Sequence, residues 1–322
     1  MNSVKSISKI TCFSIFFVIF VFIAAILGCL YQKSSYMPTN NIIINLTDDD
    51  HFADTLTREG ISNNFFITKI SIKIMALFGY EAKFGEYALP HRVSLYEAIK
   101  IINSGNVVIH RITIPEGFPT VYTLRRIESN EHLSGEIEQI PQEGSIMPGT
   151  YCFKYPTTKQ EIIRIAQKEM VEFLQKEWPK RSLLCTLKNP YEVLILASIV
   201  EKETSTEREI VAGVYLHRLK INMKLQSCPT VIYAHKKGKK LEHTLKYSEL
   251  NIDSPYNTYR HKGLPPTPIT NPGKESIIAT LHPQKTENLF FVFDGISKHI
   301  FSKTYEEHKR NIAAVRKAKP QN

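Results

Sequence analysis

The sequence predicts an α+β protein in three parts: an N-terminal transmembrane helix, a small α+β module and a larger α+β body. Three observations carry this reading. Residues 10–31 hold no formal charge, residues 43–110 alternate short apolar runs with helical ones, and the rest shows long helical patterns broken by Pro and Gly turns. With 322 residues, 43% hydrophobic and 22% charged, the chain is long enough for two modest domains and too apolar for wholesale disorder.

The apolar run ITCFSIFFVIFVFIAAILGCLY has 22 residues. As a helix rising about 1.5 Å per residue it covers roughly 33 Å, the thickness of a bilayer's hydrocarbon core. A cleaved signal peptide has a shorter apolar core of about 7–15 residues and a small-residue cleavage site, and QKSSYMPTN offers none. Ile26-Leu27-Gly28-Cys29 resembles a lipoprotein cleavage box, but the bulky Leu27 fits it poorly. A retained single-pass anchor is the expectation. Lys5 and Lys9 precede the span, and Lys33 followed by Asp48, Asp49 and Asp50 comes after it. The positive-inside rule then puts residues 1–9 in the cytoplasm and the body outside. There it has no access to ATP, nicotinamide cofactors or DNA.

Residues 32–42 read as a polar tether. Ile43, Ile44 and Leu46 make a short strand, and Phe52, Leu56 and Ile61 follow at roughly helical spacing, with Gly60 as a helix stop. Residues 83–89 alternate again. Ser94 with Glu97 has capping-box spacing and opens a helix whose Leu95, Ala98, Ile99 and Ile102 share one face, ending at Gly105. The module therefore reads strand, helix, strand, helix over 43–110.

Residues 111–314 form the larger body and 315–322 a basic tail. Turns at Pro115-Glu116-Gly117 and Pro148-Gly149 precede a well-patterned helix over 161–178. Residues 191–204, YEVLILASIVEKET, place eight uncharged residues (193–200) before Glu201. Such a helix is buried on nearly every side. A carboxylate at its end loses hydration and faces the negative end of the helix dipole, as a general acid requires. The bland alternative is a solvated helix end paired with Lys202 or Lys220. Glu203, about 200° further round, is expected to face solvent or the next helix's cap. Ile210, Val211, Val214, Tyr215 and Leu219 stripe that next helix. Tyr256, Asn257, Tyr259 and a run of prolines then make an aromatic, amide-rich loop of the kind that grips sugars.

The net charge is +10, from 41 Lys and Arg against 31 Asp and Glu, which suits an anionic partner. No aromatic-interleaved basic groove is visible, so nucleic acid is not expected. The five cysteines (Cys12, Cys29, Cys152, Cys185, Cys228) are scattered without CxxC or a His/Cys cluster, which argues against a zinc site or a disulfide scaffold.

The ordered series LASIVEKET (196–204), VAGVYLHRL (211–219), MKLQSCPTVIY (223–233), SPYNTYRHKGLPPTPITNPG (254–273), LFFVFDG (289–295) and FSKTYEEH (301–308) resembles the MltG/YceG-like family. ITIPEGF (112–118) and MPGTYCF (147–153) add to it. The family's members are membrane-anchored endolytic murein transglycosylases. The resemblance implies a LysM-like subdomain over 43–110 and a catalytic domain over 111–314. It makes Glu201, first Glu of the VEKET motif, the catalytic residue, and Gln226, Asn257 and Tyr259 substrate contacts. It implies no cofactor and no metal, and as partners the bilayer, peptidoglycan glycan strands and peptidoglycan synthases. Its activity would cut nascent strands between MurNAc and GlcNAc, leave 1,6-anhydro-MurNAc ends and terminate elongation. Three positions depart from the family pattern: His217 for Asn, Asn222 for Gly, and Cys228 for Asp. The last leaves a second reading open, a catalytically impaired peptidoglycan-binding anchor or division scaffold.

Overall fold

The computed structural model describes residues 2–36, 42–44, 49–236 and 245–318. The middle of the expected tether (37–41), Leu46 of the first strand, Asp48 and the end of the tail (319–322) lie outside the described residues. Helices dominate, with small two-stranded sheets, and the chain divides into two compact units: residues 1–110 with 152–156, and residues 111–151 with 157–322.

The first unit begins with α1 (Asn2–Tyr31). Among the described residues, Phe13–Tyr31 is the one stretch long and apolar enough to cross a membrane, with mean hydropathy 2.9. β1 (Ile42–Ile44) pairs antiparallel with β2 (Gly85–Tyr87), Ile42 opposite Tyr87. α2 (Asp49–Arg58) ends just before Gly60, whose φ of +76° the absence of Cβ permits. α4 (Leu95–Ser104) carries the expected capping box: Ser94 Oγ accepts from Glu97 N, and Glu97 accepts from Ser94 N. Leu95, Ala98, Ile99 and Ile102 are buried with Ile44, Leu56 and Tyr87, and Ile26 and Leu30 of α1 join the same core.

One helix departs from the expected order. α3 (Phe65–Leu77) follows α2 directly, opened by Asn64, whose Oδ1 accepts from Ile67 N at 3.1 Å. Its sequence FFITKISIKIMAL is apolar almost all round, so no clean 3.6-residue stripe separates it from a strand. The unit is strand, helix, helix, strand, helix.

The second unit is built around α7 (Pro190–Glu203). Asn189 caps it by accepting from Glu192 N, Pro190 takes the first turn, and residues 193–200 are all buried. α8 (Arg208–Lys220) and α10 (Lys274–Leu281) pack on α7, and Met170 and Leu174 of α6 (Lys159–Glu177) close the same core. α5 (Thr120–Glu128) and α9 (Cys228–Lys236) belong to the same unit. Asn222 has φ +56°, the left-handed region where Asn is the best substitute for Gly.

Candidate active site

Glu201 lies in the last turn of α7, where the helix leaves the core. Its carboxylate is 6% exposed but not abandoned. Oε2 accepts from Gly273 N at 3.0 Å and from Ser276 Oγ at 2.7 Å, while Oε1 lies 3.7 Å from Arg208 Nη2. The donors are the N-cap amide and a first-turn hydroxyl of α10, whose dipole favours negative charge at this end. Glu201 is therefore held in one orientation by three groups from two segments. The alternative of a solvated end paired with Lys202 or Lys220 does not hold, because Lys202 Nζ donates to Gly117 O at 3.2 Å and Glu201 takes its partners from residues 208, 273 and 276.

A turn at residues 115–118 stands over this end of α7. Asn271 fixes it: Asn271 N and Nδ2 both donate to Phe118 O, and Asn271 O accepts from Gly117 N. Gly117, at φ +75°, is placed so that a Cβ would lie 3.5 Å from Glu201 Cγ. Glu116 from the same turn fills the space that a side chain at Gly273 would need, since a Cβ there would stand 1.9 Å from Glu116 Oε2. Glu116 and Glu201 thus flank one bare backbone position and share one cation, with Glu116 Oε1 at 3.6 Å from Arg208 Nη2. Burial, then the charge of Glu201, pushes the Glu116 carboxyl above its ordinary value, with Arg208 opposing. Arg208 is itself almost buried and also binds Glu275 Oε2 at 2.7 Å and Ser276 Oγ at 3.0 Å. Sequence reasoning singled out neither Glu116 nor Arg208 for the site. The one signal available was the place of Glu116 in the ITIPEGF signpost.

Glu203 corrects an expectation. It does not face solvent: Tyr215 Oη donates to its Oε1 at 2.8 Å and Ser227 Oγ at 2.5 Å. Burial pushes this carboxyl upward, against the lowering effect of those two bonds. The helical turn does direct it away from Glu201, but the facing surface is occupied by α8 and the 225–227 loop.

Gln226, Cys228, Asn257 and Tyr259 assemble on that side. Gln226 is exposed with φ +51°, an uncommon conformation for a non-glycine residue, held by its N–H donating to Thr258 O at 3.1 Å. Asn257 is fully buried. Its Nδ2 donates to Leu250 O and Ile252 O, and its Oδ1 accepts from Tyr259 N, so the side chain is spent on the loop. Tyr259 Oη lies 3.1 Å from Cys228 Sγ. Burial pushes both hydroxyl and thiol upward, so Cys228 stays neutral where the family pattern has a charge. The four residues form one cluster around the start of α9, separate from the hydrogen-bonding shell of Glu201.

The YceG-like family matches residues 46–314. An endolytic murein transglycosylase of Bacillus subtilis (strain 168) is 39% identical over 176 residues, covering 53% of this chain and 47% of that protein. One from Streptococcus pneumoniae serotype 2 (strain D39) is 29% identical over 289 residues, covering 72% of this chain and 50% of that protein. The chain spans about half the length of these curated relatives. A crystal structure of a yceG-like protein from Listeria monocytogenes superposes with TM-score 0.53 at 26% identity, covering 87% of this chain and 99% of that one. By its matched length and its ordered motifs, the chain belongs to the YceG-like family.

Proposed function

We propose that the protein is a membrane-anchored endolytic lytic transglycosylase acting on peptidoglycan glycan strands, with Glu201 as its single proton-transfer group. The observation that carries this is the carboxylate of Glu201, dehydrated at the end of a buried helix yet oriented by Gly273 N and Ser276 Oγ. Most of the catalytic machinery of a glycosidase is a positioned carboxyl. A lytic transglycosylase needs only one to carry a proton both ways.

In this reading Glu201 protonates the oxygen that links MurNAc C1 to GlcNAc C4, and the C1–O bond breaks. The MurNAc C6 hydroxyl attacks C1, and its proton passes to the Glu201 carboxylate. A 1,6-anhydro ring closes, the enzyme recovers its starting protonation state, and no water is consumed. Arg208 aligns Glu116 with Glu201. Glu116 then supplies the second negative group that steadies positive charge growing at C1. Gln226 and Tyr259 contact the glycan, and Asn257 shapes the loop that carries Tyr259. The unit holding β1, α2, α3, β2 and α4 is read as the LysM-like subdomain, and α1 as the single-pass anchor with the body outside. That placement brings the enzyme to glycan strands where they are made, beside peptidoglycan synthases, and its cleavage would terminate their elongation.

The test is mass spectrometry of muropeptides after incubating the full-length protein, in detergent, with peptidoglycan. Ends lighter by one water than hydrolysis products are expected. Reducing MurNAc ends would make the enzyme a hydrolase, and no cleavage at all would leave the binding-only scaffold. A reporter active only in the cytoplasm, fused after Asn322, should be silent; a bright signal would overturn the external placement.

A further inference from the structure

α3 leaves large apolar side chains uncovered. Its buried face includes Thr68 and Ser71 beside Ile72 and Met75, while Phe66 is 74% exposed and Leu77 86% exposed. At about 100° per residue, Phe66, Lys73 and Leu77 fall within roughly 40° of one another, opposite the buried face. Phe78, the residue after the helix, is 76% exposed. The helix contains Lys69 and Lys73 and no acidic residue. Two large apolar side chains flanking a lysine on one helix face, with a third exposed just past the helix end, are not a solvated face.

The position of α3 says what covers it. α1 packs on α3, and Ile26 and Leu30 of α1 are buried in the core that Ile67, Ile70 and Ile74 of α3 line. Cys29 Sγ of α1 lies 3.4 Å from Ser62 Oγ, just ahead of α3. Ile26 and Leu30 stand within about 8 Å of Tyr31 along the helix axis. If residues 10–31 span the bilayer, Tyr31 marks the outer edge of the hydrocarbon, and α3 is held beside the last two turns below it. That is the depth of the headgroup and acyl boundary, where interfacial helices bury their apolar face by about 5–10 Å.

We propose that α3 is an interfacial membrane helix: Phe66, Leu77 and Phe78 insert into the outer leaflet of the bilayer that α1 spans, with Lys69 and Lys73 at the level of anionic lipid headgroups. The first unit then lies on the membrane as well as being tied to it. This inference rests on α1 being the anchor, and the experiment separates the two.

Full-length protein is reconstituted in vesicles of phosphatidylglycerol and phosphatidylethanolamine doped with lipids brominated at shallow or deep positions. Two variants, Phe20→Trp in α1 and Phe66→Trp in α3, are read as difference spectra against the parent, which has one native tryptophan, Trp178. Phe20→Trp should be quenched most by deep bromines. Phe66→Trp should show blue-shifted emission quenched by shallow ones, and that quenching should vanish when Leu77→Ser and Phe78→Ser are added. All four replaced positions are exposed, so the thermal midpoint should not move. Quenching of Phe20→Trp without quenching of Phe66→Trp overturns the proposal and leaves the anchor standing. A blue shift in Phe66→Trp with no bromine quenching means a second copy covers the face, and also overturns it. If neither tryptophan is quenched, the anchor fails and the proposal with it.

Discussion

Glu201→Gln removes the group that would give and retrieve the proton while leaving most of its scaffolding in place. The amide oxygen can still accept from Gly273 N and Ser276 Oγ, which lie 3.0 and 2.7 Å from Oε2 in the parent. What is lost is charge assistance. Bonds to a charged acceptor contribute about 1.5–3 kcal/mol against about 0.5–1.5 for neutral ones, so two bonds lose roughly 2 kcal/mol. The amide nitrogen also replaces Oε1 opposite Arg208. No longer burying a charge in a side chain only 6% exposed offsets part of this. The expected net loss is about 1–2 kcal/mol, or roughly 2–8 °C in Tm. Cleavage should fall much further, by about 10²–10⁴, equivalent to roughly 3–5 kcal/mol of barrier. Glu203→Gln is the companion variant. It keeps both acceptor bonds, from Tyr215 and Ser227, and removes a buried charge. It should be at least as stable as the parent at neutral pH and cleave at a similar rate. Anhydro-muropeptide release and thermal unfolding of the full-length protein measure both effects. Near-parent cleavage by Glu201→Gln, or loss of cleavage in Glu203→Gln alone, would refute the assignment.

Glu203 also predicts a pH dependence. Its folded carboxyl titrates above the ordinary value of 4.5, so the unfolded chain releases that proton first as pH rises. The stability present in acid is lost as pH climbs from about 4.5 through the raised value, and denaturant titrations of Glu203→Gln should lack that slope. Gly273→Ala fits the backbone, at φ −74° and ψ 166°, but drives out Glu116. Because Glu116 is 49% exposed it can swing away for about 1 kcal/mol or less, so Tm should hardly move while cleavage falls. Adding Glu116→Gln should then cost no more, and additive losses in that double-mutant cycle would detach the glycine from the carboxylate. Cys228→Ser should be nearly neutral. Cys228→Asp places a carboxylate at the start of α9 beside the Tyr259 hydroxyl, where a helix N-terminus favours it by about 0.3–1 kcal/mol. Equal or higher cleavage is expected, and a clear loss of activity would mean that the cleft has adapted to a neutral residue.

Local chemistry determined a good deal by itself. The uncharged stretch of α1, the Ser94/Glu97 box that starts α4, and the eight apolar residues that bury α7 and deliver Glu201 at its end are each set within one segment. Periodicity, caps and burial act over a few residues, and a linear sequence displays them. What surrounds those segments was decided only in three dimensions. Ser276, which orients Glu201, is 75 residues away in sequence, and Arg208 joins Glu116 to Glu201 from a third segment. The wheel position of Glu203 pointed it away from Glu201, as found, but a wheel cannot say whether water or protein lies on that side. Tyr215 and Ser227 happen to fill it. α3 escaped notice for a related reason: a helix whose outer face is as apolar as its inner one carries no stripe, and only the packed unit shows which side remains uncovered. Sequence patterns report the faces of an element, whereas the partners of those faces come from contacts between residues distant along the chain.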